Sequence, residues 1–330
     1  MIKVETSAPG KVFLSGEYLA LEGSLATLLA TKHRAKIIIE RSERSTNILY
    51  SLPLDKSFAF DVNDSFQIKW LDDNPNELGL FIEQAIIMMK IKPTKTKFTI
   101  DTNDFYFQNR KIGIGSSSAI SSALIKAVIK YFDIKYTNEM IIDSAVNLHK
   151  SKQNSLGSGL DVIASSIDSG LIECDIKKVS QKTWTKLEWP LDLLIKGVIT
   201  NKQSNTKTMI EKYLKGNIYN REFFSVLKID ADRLLKRLSL SWKAKDSESV
   251  LELMEKYNAL MQQLDQKYHL GIYTDEHQAL ANLAKKSGVF YKPSGAGGGD
   301  LGFILTNNEL KFKEFIVKLK DKNFNTLDLR

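Results

Sequence analysis

Three segments lying far apart in the chain combine glycine with small hydroxyl or charged side chains: Ala8-Pro-Gly-Lys-Val-Phe-Leu-Ser-Gly-Glu-Tyr18, Lys111-Ile-Gly-Ile-Gly-Ser-Ser-Ser118 and Lys292-Pro-Ser-Gly-Ala-Gly-Gly-Gly-Asp-Leu-Gly302. None matches a Walker A loop. In the second, Gly113 and Gly115 allow backbone N–H groups to turn toward an anion, and a helix that follows adds its positive end. Phosphate is the natural guest of such a turn. Ser116 and Ser117 supply hydroxyls able to bond phosphate or to coordinate a Mg²⁺ carried by it, although a glycine turn followed by serine also serves simply to start a helix. Gly295-Ala-Gly-Gly-Gly299 has too little side chain for a core strand. Four glycines in five residues cost backbone entropy that a plain connector seldom incurs, so this backbone is expected to pack closely or to bend around a ligand.

These segments need elements to hold them. The first hundred residues alternate short β-rich runs with turns, at Ile2 to Glu5, Ala35 to Glu40, Ile48 to Leu52, Phe58 to Val62 and Lys97 to Asp101, which predicts one twisted sheet. Leu78 to Lys90 is densely apolar and stops before Pro93, as a buried helix does. The turn at Gly113 and Gly115 feeds a helix from Ala119 to Tyr131, and Thr137 starts another that runs to Lys150. Beyond Ile195 long polar helices follow, at Thr206 to Leu214, Arg221 to Leu238, Ser247 to Tyr268 and Thr274 to Lys286. Strand-like Val289 to Tyr291, Leu301 to Thr306 and Asn323 to Leu327, with a helix at Glu309 to Leu319, complete a small α+β unit. A boundary near Pro190 divides the chain into domains 1–190 and 191–330.

Composition bounds what these elements can do. The 330 residues carry Lys+Arg 47 against Asp+Glu 39, a net charge of +8, with a hydrophobic fraction of 43%. This is ordinary globular composition and excludes fibrous or disordered classes. Lysines and acids alternate along the chain, so the excess positive charge suits a site that gathers several phosphates and not a nucleic-acid partner. The single cysteine, Cys174, forms no internal disulfide and no cysteine metal cage; a cytoplasmic protein with Cys174 as a small buried hydrophobe is expected. No apolar run reaches the length of a membrane span. His33, His149, His269 and His277 lack metal-ligand spacing and are expected to pack or lie at the surface.

Together the three glycine segments resemble the three signature motifs of the GHMP kinase superfamily, in matching order and at matching distances. The resemblance covers nearly the whole chain. It implies an α+β, two-domain fold with an N-terminal domain like ribosomal protein S5 domain 2 and a ferredoxin-like C-terminal domain. It also implies an ATP-dependent small-molecule kinase using Mg²⁺, a monomer or homodimer without nucleic-acid or membrane partners. Gly16-Glu-Tyr18, Gly157-Ser-Gly-Leu-Asp-Val162 and the run from Ser294 to Asp300 are most similar to the phosphomevalonate kinases. Asn205-Thr-Lys207 is closer to mevalonate kinases, and Ser118 replaces the alanine or glycine common after the serine pair.

The resemblance places Gly113, Gly115, Ser116 and Ser117 around the ATP phosphates, with Ser117 on the Mg²⁺ and Gly295, Gly297 and Gly298 lining the same region. Lys11 and Asp161 match the catalytic Lys/Asp pair; a structural salt bridge is the plain alternative. For the acceptor the expected contacts are Lys111, Ser158, Thr206, Lys207 and Ser294, with Thr208, Arg110, Lys150, Lys152 and Lys202 in bordering segments. Glu17 either holds the first motif or sits near the acceptor. An alcohol acceptor benefits from a base to remove its proton, whereas a phosphate monoester, with a second pKa of about 6, is mostly ionised at neutral pH. Asp161 is a base in the first case and an orienting group for Lys11 in the second.

Overall fold

A computed structural model describes residues 3–152, 157–168, 170–178 and 181–330. In chain order come β1 (Lys3–Ser15), β2 (Ala26–Arg41), β3 (Asn47–Ser51), β4 (Lys56–Val62), β5 (Ile68–Trp70), α1 (Glu77–Met89), β6 (Thr96–Asp101), β7 (Tyr106–Phe107), β8 (Arg110–Lys111), α2 (Ser116–Tyr131), α3 (Asn138–Lys152) and α4 (Leu160–Ile167). Then follow β9 (Leu171–Lys178), β10 (Gln181–Leu187), β11 (Leu194–Ile199), α5 (Thr206–Tyr219), α6 (Arg221–Ala244), α7 (Ser247–Tyr268), α8 (Asp275–Lys286), β12 (Phe290–Pro293), β13 (Leu301–Thr306), α9 (Glu309–Asp321) and β14 (Asn325–Leu327). Compactness groups them into two units that interleave along the chain. One holds residues up to Gly10, His33–Arg110 and Gly115–Asp168; the other holds Lys11–Lys32, Lys111–Ile114 and the described residues from 170 to 330.

In the first unit, residues 36–41 of β2 pair antiparallel with β6, β6 runs parallel to β3, and β4 and β5 continue antiparallel. The parallel β3–β6 step needs a crossover, which β4, β5 and α1 supply. Phe60 and Phe98 meet across this sheet with ring centroids 6.1 Å apart. Trp70 Nε1 donates to Glu83 Oε1 at 2.7 Å and fixes α1 against β5. Helices α1 to α4 pack on one another, with α2 touching the other three. Eleven of the 16 residues of α2 are buried, and the Thr6 hydroxyl donates to its Ala123 carbonyl at 2.7 Å.

The second unit pairs residues 26–29 of β2 with β9, and β9 with β10, all antiparallel. Its other sheet runs β12-β13-β11-β14, again antiparallel. Helices α8 and α9 share a core with that sheet: Leu280 and Ala284 from α8 and Phe315 and Leu319 from α9 meet Val198 and Ile304. Each of these side chains larger than alanine contributes about 1.5–3 kcal/mol on burial. Helices α6 and α7 form a hairpin, because buried residues recur every three or four positions on both, as at Leu227, Ala231, Leu235, Leu238 and Trp242 on α6. Asp246 caps α7 by accepting from Ser249 N–H at 3.1 Å. Among the described residues no helix is long and apolar enough to cross a membrane.

Candidate active site

The Gly113 turn is built on an alternation. Ile112 and Ile114 are fully buried, so Lys111 and Gly113 face outward between them. Lys11 N–H donates to Ile114 C=O at 2.7 Å, tying β1 to the turn, and the Lys11 ammonium lies 5.2 Å from the centroid of the Phe13 ring. Gly113 has φ of +72°, and a Cβ built there would fall 2.3 Å from the Cβ of Asp300. Only glycine fits this position. Lys11, Lys111, Gly113 and Asp300 therefore belong to one cluster in the second unit.

The chain then enters α2 of the first unit through Gly115, a left-handed N-cap with no side-chain cap, which leaves the first-turn amides of α2 for another acceptor. Ser117 Oγ is buried without a hydrogen-bond partner among the described residues. An orphaned buried hydroxyl costs about 1–3 kcal/mol, and this one keeps a lone pair and a proton that a ligand could take. The unusual Ser118 is fully satisfied: its hydroxyl donates to Gly115 C=O at 2.8 Å and accepts from Ser165 on α4 at 3.1 Å.

Ser118 and Ser165 begin a serine seam between α2 and α4. Ser122 and Ser166 hydroxyls lie 2.8 Å apart, and Lys126 donates to Ser166 C=O at 3.0 Å, its pKa lowered by burial. The seam sets the height of α4, whose first turn carries Asp161. Gly159 is the left-handed N-cap of α4, and Ser158 Oγ accepts from Leu160 N–H at 3.4 Å, so that hydroxyl helps to cap the helix. Asp161 Oδ1 accepts from Val162 N–H at 3.0 Å, while Oδ2 lies 3.7 Å from Nε2 of the buried His149 on α3. Asp161, Ser116 and Ser117 thus share packed helices of the first unit; Lys11 belongs to the second.

The glycine-rich segment 294–300 is a fastened loop, not a free hairpin. Tyr18 donates to Ala296 C=O, Ser204 to Gly297 C=O, and Gly298 N–H to Ile272 C=O at 3.0 Å. His277 Nε2–H donates to Gly299 C=O at 3.2 Å and its Nδ1 accepts from Tyr291 OH at 2.7 Å. Cβ atoms at Gly297 and Gly298 would come within 2.5 Å of Ile272 Cγ2 and 2.6 Å of Met209 Sδ, so these glycines are required by packing; at Gly295 nothing lies within 4 Å and the loop opens. The Ser294 hydroxyl bonds both the N–H and the C=O of Phe13, at 3.1 and 3.2 Å. The contact of Gly298 with Met209 brings the loop beside α5, where Thr206, Lys207 and Thr208 are exposed in the first turn and Asn205 caps it. Lys202 is exposed and its C=O accepts from Asp300 N–H; Arg110 and Lys150 lie in the first unit, and the side chain of Lys152 is outside the described residues.

Residues 82–168 match the model of the GHMP kinases N terminal domain. The chain is 21% identical to the phosphomevalonate kinase of Streptomyces sp. strain CL190, covering 92% of this chain and 89% of that one. It is 24% identical to the mevalonate kinase of Methanocaldococcus jannaschii, covering 98% and 97%. The solved Streptococcus pneumoniae phosphomevalonate kinase, in complex with phosphomevalonate and AMPPNP, superposes with a TM-score of 0.79 at 18% identity, over 99% of this chain and 98% of that one. The chain contains a GHMP kinase N-terminal domain. It is an ATP-dependent enzyme of mixed α and β architecture.

Several residues that organise this chain were not singled out by sequence. Lys292, only 3% exposed, donates to Glu17 Oε1 and to Pro293 C=O, while Tyr257 OH donates to Glu17 Oε2 at 3.2 Å. This buried pair joins the first motif to β12 and settles Glu17 as a holding residue within the second unit. A lysine beside proline gives no sequence sign of burial. His277 and Asp300 are likewise fixed by contacts remote in sequence, and His149 by its approach to Asp161. Among the described residues no cluster of three or more His, Cys, Asp or Glu could hold a metal ion alone. A Mg²⁺ that arrives on nucleotide phosphates needs few protein ligands, and the orphaned Ser117 hydroxyl fits that chemistry.

Proposed function

We propose that this GHMP kinase transfers the γ-phosphoryl group of ATP to 5-phosphomevalonate, giving 5-diphosphomevalonate and ADP. The observation that carries the reading is the phosphate turn itself: an outward Gly113 flanked by Lys11 and Lys111, continuing into an uncapped helix whose first turn presents Ser116 and Ser117. Two anions must meet here, and cations offset their repulsion as charge redistributes in the transition state. The phosphomevalonate kinase names among its relatives support the acceptor, as does the run from Ser294 to Asp300.

In this reading the bond from the γ-phosphorus to the β–γ bridging oxygen breaks as a bond forms from phosphorus to an acceptor phosphate oxygen. Lys11 and the amides at Gly113, Gly115 and the start of α2 hold the transferring phosphate. Ser117 would hold Mg²⁺, which when bound would supply charge neutralisation on the nucleotide. Gly295, Gly297 and Gly298 line the nucleotide side, and Lys111, Lys207, Thr206, Ser158 and Ser294 border the acceptor. The acceptor is already ionised, so Asp161 removes no proton from it. The reading keeps the two family domains at 1–190 and 191–330.

Mevalonate is the second acceptor to consider, favoured by Asn205-Thr-Lys207 and by the mevalonate kinase relative. The test is ADP release from Mg²⁺ATP with 5-phosphomevalonate and with mevalonate in parallel, for the unaltered protein and Asp161→Asn. Selective turnover of 5-phosphomevalonate is expected. Selective turnover of mevalonate, with a loss of about a hundredfold or more in Asp161→Asn, would assign the alcohol acceptor and a general base.

A further inference from the structure

We propose that Asp300 is a positioning residue of the phosphate turn, a resident counter-anion that holds Lys11 and Lys111 around Gly113 until phosphate groups replace it. The inference rests on the reading of residues 111–118 as a phosphate site.

Four features of the second unit point to this role. Asp300 is locked in place by its backbone, its N–H donating to Lys202 C=O at 2.7 Å and its C=O accepting from Thr200 N–H at 2.9 Å and from the Thr200 hydroxyl at 3.3 Å. It is held at φ of 58°, a left-handed conformation that glycine adopts freely and aspartate at some strain. Its side chain is aimed at the turn: a Cβ on Gly113 would lie 2.8 Å from Asp300 Cγ and 2.9 Å from Oδ2. The carboxylate occupies the space that a side chain at residue 113 would need.

The charges complete the argument. Burial raises the Asp300 pKa, and the Ser204 N–H, Lys11 and Lys111 oppose that rise. A carboxylate placed in a desolvated spot among two lysines costs free energy unless it acts on them. Before nucleotide binds, two ammonium groups at one turn repel each other and tend to swing into water. Asp300 neutralises one of them and keeps both near the turn. Lys11, Lys111 and Asp300 sum to 2 − 1 = +1; with Asp300 neutral the same cluster carries +2. The residue therefore trades anion affinity for the alignment of its cations.

The test uses the full chain with Asp300→Asn and Asp300→Gly, the second of which also relieves the left-handed strain. Binding of inorganic tripolyphosphate and of ADP is measured by calorimetry at low and high salt, alongside kcat and KM for ATP. Both variants are expected to bind tripolyphosphate about tenfold more tightly at low salt, with steeper salt dependence, while kcat falls about tenfold or more and KM for ATP falls. Tripolyphosphate affinity and salt dependence equal to those of the unaltered protein would overturn the proposal, whether or not kcat fell, because a merely structural aspartate leaves the charge balance unread. If the unaltered protein binds neither anion, the phosphate-site reading fails and this inference with it.

Discussion

Glu17 and Lys292 face each other with almost no contact with solvent, and the two charges must be treated as a pair. Removing one leaves the other buried and unpaired, at a cost of about 3–5 kcal/mol, whereas replacing both by neutral side chains of similar volume is often far milder. Glu17→Gln and Lys292→Met are each expected to lower Tm strongly, and the double variant to recover most of the loss. Additive losses in thermal melts would show that the two do not act as a pair. His277 makes a prediction in pH. Burial lowers its pKa from 6.5 to about 4, so the unfolded chain binds a proton that the folded chain refuses across that window. Stability is full above about 6.5 and is lost as pH falls toward 4, by up to 6.5 − 4 = 2.5 units or about 3 kcal/mol. Denaturant melts at pH 7 and 4.5 should show this slope, and His277→Gln should flatten it. Neither residue was legible as special: a lysine before proline and a histidine in the first turn of a helix are commonplace, and only remote partners give them their roles.

The serine seam between α2 and α4 is a device of elements. Ser118→Ala would leave the Ser165 hydroxyl without its acceptor and Gly115 C=O with the Ala119 N–H alone. A loss of about 1–2 kcal/mol is expected, and the double variant with Ser165→Ala should cost less than the sum of the two. Chemical denaturation checks this; strict additivity would show that the hydroxyls do not interact. At this scale much could be read in advance. Ser247 to Tyr268 and Leu301 to Thr306 coincide with α7 and β13, because a capping Asp246 and an apolar run leave little choice. β1 was legible only from Ile2 to Glu5, since Pro9 and Gly10 read as punctuation, yet the strand continues to Ser15. The eight-residue α4 was seen as a motif and not as a helix, being too short for periodicity to speak. The run from Gly295 to Gly299 was legible as backbone that packs closely or bends around a ligand, but the partners of Gly297 and Gly298, Ile272 and Met209, are contacts that no local pattern encodes.

For the molecule as a whole, the proposed function makes Mg²⁺ATP a ligand of the folded state alone, which is expected to raise its stability. At a hundredfold excess over Kd the gain is about 2.7 kcal/mol, and a thermal melt should shift upward accordingly. Asp161→Asn should keep that shift, since nucleotide is held by other groups in the proposed arrangement. An unmoved melting curve for both proteins would contradict the nucleotide site.

The interleaving of the two units also bears on how the chain is made. Residues 33–110 can begin pairing among themselves soon after they leave the ribosome, but residues 26–29 find their antiparallel neighbours only at Leu171–Cys174, and Lys32 N–H finds its acceptor at Leu329 C=O, 3.0 Å away. At about 5–20 residues per second, the early strand waits on the order of ten seconds for the first of these partners and longer for the second. During synthesis, the opening residues of one long strand are an unsealed edge, and the stitch at Leu329 closes later still.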